Sequence, residues 1–183
     1  MVSLASLWLP ILVSAVLVFV VSAIVWMVLP YHRTDWKKLP NEDAVREMFR
    51  PVPGGMYMFP YCSPAERKDP AAQERFKRGP WAAMTVHGKM PTMGRALGLW
   101  FVHLLIVSLV VAYVVGHALP PSAAYRTVFR FASATAFLGF ALGAVPGSIW
   151  EGKPWSFTCK AIFDGLIYSL VSAGVFGWLW PHA

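Results

Sequence analysis

Four stretches of almost uncharged apolar residues run through the chain, and a long polar segment studded with proline separates the first from the second. A helix crossing about 30 Å of hydrocarbon needs about 20 mainly apolar residues. Residues 4–29, 96–119, 123–145 and 155–180 each reach that length. The first holds no charge, and the second holds only His103 and His117 among its ionisable side chains. The third carries Arg126 and Arg130 in its first turns, and Pro146 with Gly147 is expected to end it. The fourth contains Lys160 and Asp164. The fold class predicted is an all-α membrane protein with four transmembrane helices and a Pro-rich, mostly irregular cytoplasmic segment, residues 31–95, between helices 1 and 2.

Eight prolines from Pro40 to Pro91 break any long helix inside that segment. Two short helices are still readable. Asn41 is placed to cap one that has Glu42 and Asp43 in its first turn and Arg46 and Arg50 towards its end, complementing the helix dipole. Asp69 followed by Pro70 opens another, which Gly79 closes after Lys77 and Arg78. Residues 55–61 and 81–93 read as extended or looped. With few aliphatic residues, the segment is not expected to bury a core of its own, and should fold against the membrane surface or a partner.

Charge sets the orientation. Of the 16 Lys and Arg residues, 12 lie in residues 31–95, against 7 acidic ones, giving that segment +5 of the chain's formal +7. The excess of Lys and Arg marks cytoplasmic loops, so this segment is expected inside and both termini outside a bacterial inner (cytoplasmic) membrane. No basic residue precedes Leu4, so the first segment is expected to be a retained span and not a cleaved signal. Tryptophan agrees: Trp8, Trp178 and Trp180 fall at the outer ends and Trp26, Trp100, Trp150 and Trp155 at the inner ends, where an indole satisfies both its apolar body and its N–H. A composition 57% hydrophobic and 14% charged excludes a disordered chain. Two cysteines, Cys62 and Cys159, are too few for a disulfide scaffold.

Small residues recur every fourth position, the spacing that lets helices approach closely in lipid. The third helix offers Thr135, Gly139, Gly143 and Gly147; the fourth offers Gly165, Ser169, Ala173 and Gly177; the second offers Ser108, Ala112 and Gly116. Helices 3 and 4 are expected to form a close antiparallel hairpin. Arg126 and Arg130, one turn apart, are expected to reach outer-leaflet headgroups or a partner. Asp164 lies deeper and needs a partner; Lys160, four residues before it, is the expected intramembrane ion pair, although Lys before Asp is the weaker order.

Candidate chemistry is thin. His103 and His117, 14 residues apart on one helix, resemble the paired haem-ligand spacing of cytochrome b, but the other helices bring no histidine to complete the ligation. Met56, Met58, Cys62, Met84, His87, Met90 and Met93 form a soft set suited to Cu(I), without the spacing of a compact metal motif. No HExxH, Walker A, GxGxxG, GxSxG or CxxC pattern occurs. No cofactor is expected, and nucleic acid is not, since the basic segment lacks a stripe with interleaved aromatics.

The stretches Leu7–Ala15, Pro30–Asp35, Lys38–Asp43 and Phe163–Tyr168 resemble a group of uncharacterised bacterial four-helix integral membrane proteins. That resemblance implies an architecture and no activity. The function expected is a non-catalytic structural or accessory subunit of a larger membrane complex, with other membrane subunits and anionic phospholipids as partners. The alternatives are a small transporter or proton-coupled protein using Asp164, and a haem- or copper-handling protein.

Overall fold

A computed structural model describes residues 1–181 of the chain. It is mostly helical, and four helices are long and apolar enough to cross a membrane: Leu4–Met27, Met93–Ala118, Tyr125–Trp150 and Trp155–Trp178. They suggest a four-span, multi-pass membrane protein. In chain order the regular elements are α1 (Trp8–Met27), α2 (Glu42–Phe49), β1 (Gly55–Phe59), α3 (Pro70–Arg78), β2 (Ala82–Val86), α4 (Met93–Ala118), α5 (Tyr125–Phe140), α6 (Val145–Trp150) and α7 (Trp155–Trp178). A 3-10 turn at Leu4–Leu7 leads into α1, with the Ser3 hydroxyl accepting from the Ser6 N–H.

Small residues and hydroxyls make up much of the interior of the spans, with Ser14, Ala15, Ser108, Ala132, Ala136 and Ala173 at most 1% exposed, beside the fully buried Leu7, Leu104, Val111 and Phe176. Leu17, Val20, Ile106, Val110, Leu138 and Leu170 face outwards. In lipid, large apolar residues gain nothing from burial against other helices, so close backbone approach and packing hold the bundle. Trp8 and Trp178 are exposed at one end of the spans, and Trp26, Trp150 and Trp155 at the other.

The third span differs from the expected residues 123–145. Pro146 and Gly147 do not end it: Leu142–Ala144 tightens into a 3-10 turn and α6 resumes through Trp150. Pro146 sits in the first turn of α6, where it has no needed N–H to lose and its fixed φ suits a helix start. The predicted stripe on this span is also divided. A Cβ on Gly139 would meet Val107 of α4 at 3.0 Å, one on Gly147 would meet the Lys153 side chain at 2.9 Å, and one on Gly143 would meet nothing within 4 Å. On α7 the stripe does seat a neighbour: a Cβ on Gly165 would lie 2.8 Å from the Ala141 Cα, and one on Gly177 2.7 Å from the Tyr125 ring. Ser169 and Ala173 between them are buried.

The segment between α1 and α4 is more regular than the sequence suggests. β1 and β2 pair antiparallel, from Gly55 opposite Val86 to Phe59 opposite Ala82. Asp69 caps α3, accepting from the Ala71 N–H at 3.0 Å, and Gly79 closes it at φ +56°. Asn41 stands at the N-cap of α2 but makes no side-chain cap, because its backbone is left-handed at φ 52°.

Replacing Gly165 with Ala should destabilise the protein by about 1–3 kcal/mol through overpacking against Ala141, while Gly143→Ala should change stability by no more than about 0.5 kcal/mol. Thermal unfolding of both variants in detergent checks the contrast.

Candidate functional site

The most concentrated polar chemistry lies where the chain leaves α1. Leu29 is extended and Pro30 opens a 3-10 turn, Pro30–Thr34, with its ring at a position that needs no N–H. The turn carries Tyr31 and His32 onto α7. His32 is buried and lies flat on the Trp26 indole, ring centroids 4.0 Å apart and planes within 5°, with the Tyr31 ring 4.3 Å away. An imidazole packed this way keeps one orientation.

From that fixed ring a chain of hydrogen bonds runs both ways. Nδ1 of His32 is 2.7 Å from Oδ2 of Asp35, and Nε2 is 2.9 Å from Oδ2 of Asp164. The Tyr31 hydroxyl donates to Oδ1 of Asp164. Lys160 donates to Oδ1 of Asp35 at 2.5 Å, to the Tyr31 carbonyl at 2.6 Å and to Oγ1 of Thr34 at 3.1 Å. The side chains of His32, Asp35 and Asp164 are 3–6% exposed and that of Lys160 24%. Ionised carboxylates only accept, so an imidazolium with two N–H groups satisfies both aspartates at once. Lys160 uses all three of its N–H bonds. In that form the four side chains carry no net charge and their hydrogen bonds are complete.

The chain matches no protein-family model, no curated protein and no solved structure. The site is therefore read from its own geometry.

That geometry corrects the expected Lys160–Asp164 ion pair. Lys160 goes to Asp35 and Asp164 to His32 and Tyr31. A Lys–Asp pair in this order along a helix is poorly directed, and the turn after α1 offers each residue a better-placed partner. Tyr31, His32 and Asp35 were not singled out by sequence. The signal available was a run of polar residues directly after an apolar span, two of its members able to carry buried charge.

Electrostatics follow the contacts. Burial, reinforced by the hydrogen bond to Asp164, holds the Tyr31 phenol well above its ordinary value, so it remains a donor. The Lys160 hydrogen bond holds the Asp35 carboxyl below its ordinary 3.8, against the opposing effect of burial, and His32 adds to the lowering.

Other candidates are placed apart. Arg126 and Arg130 are exposed and form no ion pair among the described residues. His103 stacks on Trp100 at 5.4 Å, and His117 pairs through Nδ1 with the Tyr113 carbonyl at 2.8 Å. Strand pairing puts Met56 and Met58 on one face of the hairpin and Met84 on the other. No cluster of three His, Cys, Asp or Glu residues suited to a metal occurs among the described residues. Between the hairpin and the α6–α7 turn lies an open cleft of about 1030 Å3, whose lining includes Trp36, Tyr57, Met84, Trp150, Lys153 and Phe157.

His32→Ala strands the Asp164 charge beside Tyr31 alone and should cost about 3–5 kcal/mol, the cost of breaking a buried pair; thermal unfolding checks it. A carboxyl lowered in the folded state gives stability that is complete above its unfolded value and lost as pH falls through the folded one. Stability should therefore hold above about pH 5 and decline below about pH 4, and Asp35→Asn should remove part of that acid-side decline. A pH series of melting temperatures for both chains reads the difference.

Proposed function

We propose that the protein is a non-catalytic structural or accessory subunit of a larger bacterial membrane protein complex. The observation that carries this reading is the bareness of the segment between α1 and α4. From residue 36 to residue 95 only Ala72 is buried, while Trp36, Met56, Tyr61 and Trp81 are 82%, 79%, 69% and 65% exposed. Apolar surface of that size outside the spans is unfavourable unless something covers it. The open cleft beneath the hairpin, edged by Trp36 and Tyr57, adds a concave part to the same surface. Other membrane protein subunits are the partners that fit such a surface.

The closed hydrogen-bond accounting of the charged cluster supports the same reading, because a saturated network offers no free group to a substrate. It serves as a latch holding the turn after α1 against α7. The orientation follows from charge: residues 31–95 on the cytoplasmic side of a bacterial inner membrane, with both termini outside. Basic residues near an anionic leaflet gain about 1 kcal/mol each, so anionic phospholipids steady the segment while the aromatic surface meets a protein.

Mild detergent extraction from the native membrane, followed by native gel separation and mass spectrometry, tests the proposal. The expected result is co-migration with a defined larger assembly, in which the amides of residues 51–65 and 81–93 exchange more slowly than in the isolated chain. Migration as a monomer whose loop exchanges identically would count against it. For the orientation, a Cys159→Ser chain should react with an impermeant maleimide at Cys62 in inside-out vesicles and not in right-side-out ones.

A further inference from the structure

β1 and β2 pair with each other but pack extensively on no helix. Between the hairpin and the turn from α6 to α7 lies instead the cleft of about 1030 Å3, at the top of the range of about 300–1,000 Å3 that small-ligand pockets occupy. Met56 and Met58 line it from the hairpin, and Trp150, Pro154 and Phe157 line it from the spans. Met56, Met58 and Trp150 are more than half exposed, as is Trp36 at the cleft's edge. Water filling such a gap would wet apolar surface on both walls, which is unfavourable.

The level of the cleft narrows the choice of occupant. Trp150 ends α6 and Trp155 begins α7, so the wall between them is the end of two spans. Trp26, Trp150 and Trp155 are all exposed at that end, and indoles settle where headgroups meet hydrocarbon. The molecules at hand at that level are phospholipids. Charge then chooses the headgroup. The charged side chains of the lining are Asp35, Glu151 and Lys153, joined by the imidazole of His87. Asp35 is already taken by Lys160 and His32. Glu151 and Lys153 pair at 3.0 Å, each about half exposed. Their place is fixed by the turn: both backbone N–H groups donate to the Gly147 carbonyl at 3.1 Å, and Gly152 between them stands at φ +71°. The Lys153 stem lies over Gly147, where a Cβ would come within 2.9 Å of it. A purely anionic headgroup would compete with Glu151 for Lys153 and face that carboxylate. A headgroup carrying both a phosphate and a primary ammonium satisfies the two side chains together.

We infer that the cleft binds one zwitterionic phospholipid from the leaflet next to residues 31–95, its phosphate on Lys153, its ammonium on Glu151 and its chains crossing Trp150 and Phe157 towards the hydrocarbon. The lipid supplies the hairpin with the contact that the helices do not, and ties it to the α6–α7 turn. It also fills the concave part of the surface offered to a partner. The inference rests on the four spans crossing the bilayer and not on the partner proposal, so either can fail alone.

The test mixes the full chain, in mild detergent, with equimolar phosphatidylethanolamine and phosphatidylglycerol and weighs it intact by native mass spectrometry. One phosphatidylethanolamine per chain should be retained, with at least about tenfold preference over phosphatidylglycerol, because an unmatched charge penalises the wrong headgroup. Glu151→Gln frees Lys153 and should move that ratio towards phosphatidylglycerol by at least about tenfold. Thr85 is exposed on β2 in the lining, so Thr85→Trp should fill the space and abolish retention of both lipids. Unchanged melting temperatures show that the two variants fold. Independently of them, benzoylphenylalanine placed at Thr85 should, on illumination in the native membrane, add the mass of a phospholipid. Equal retention of the two lipids, a ratio unmoved by Glu151→Gln, retention that survives Thr85→Trp, or a cross-link to protein in place of lipid each overturn the inference.

Discussion

A carboxylate set inside an apolar helix bundle must be paired, hydrogen-bonded or protonated, because an isolated buried charge is far more costly than folding can offset. Asp164 imposes that condition here. Its requirement is met by His32 and Tyr31, which belong to the turn after α1, and so the end of the first span is tied to the fourth. His32 can meet it only because Trp26 holds the ring flat and Asp35 occupies the other nitrogen. Asp35 in turn needs Lys160, which returns the chain of contacts to α7 one turn from where it began. The loop closes on itself with every strong donor and acceptor used.

The rest of the bundle follows a different rule. Between the helices small residues and hydroxyls pack beside Leu7, Leu104, Val111 and Phe176, and many other large aliphatic residues point outwards. Gly165 lets α7 approach the backbone at Ala141, and Gly177 makes room for Tyr125. Close packing supplies cohesion where the hydrophobic effect does not, and the charged cluster supplies position. The segment between α1 and α4 obeys neither rule. It has a hairpin and two short helices but almost no buried side chain, and its aromatic residues Trp36, Tyr61 and Trp81 stand exposed.

Much of the architecture could be read from the sequence, because a membrane span is a matter of length and composition, and both are local. The four spans, the capping of α3 by Asp69 and the closing Gly79 are of this kind. The third span shows where local reasoning stops: Pro146 breaks a helix in its interior but starts one in its first turn, and only the 3-10 turn at Leu142–Ala144 decides which applies. The hairpin was legible only as extended chain, since the pairing of Gly55 with Val86 joins residues about thirty apart. The charged cluster was half legible. Lys160 and Asp164 announced that buried charge needed partners, but the partners lie some 130 residues earlier and are identified by geometry alone. Placing Lys160 with Asp164 followed the nearest available charge, and the fold prefers the best-directed one.

The claim on which the account depends is that His32 and Asp164 hold the turn after α1 against α7 as a coupled pair. A double-mutant cycle with His32→Ala and Asp164→Asn, read by thermal or denaturant unfolding of the full chain in detergent, measures that coupling. Contacting partners in one network depart from additivity by about 0.5–3 kcal/mol, and the account predicts a double variant less destabilised than the sum of the singles by that amount. Additivity to within about 0.3 kcal/mol, the behaviour of residues that do not touch, would contradict it.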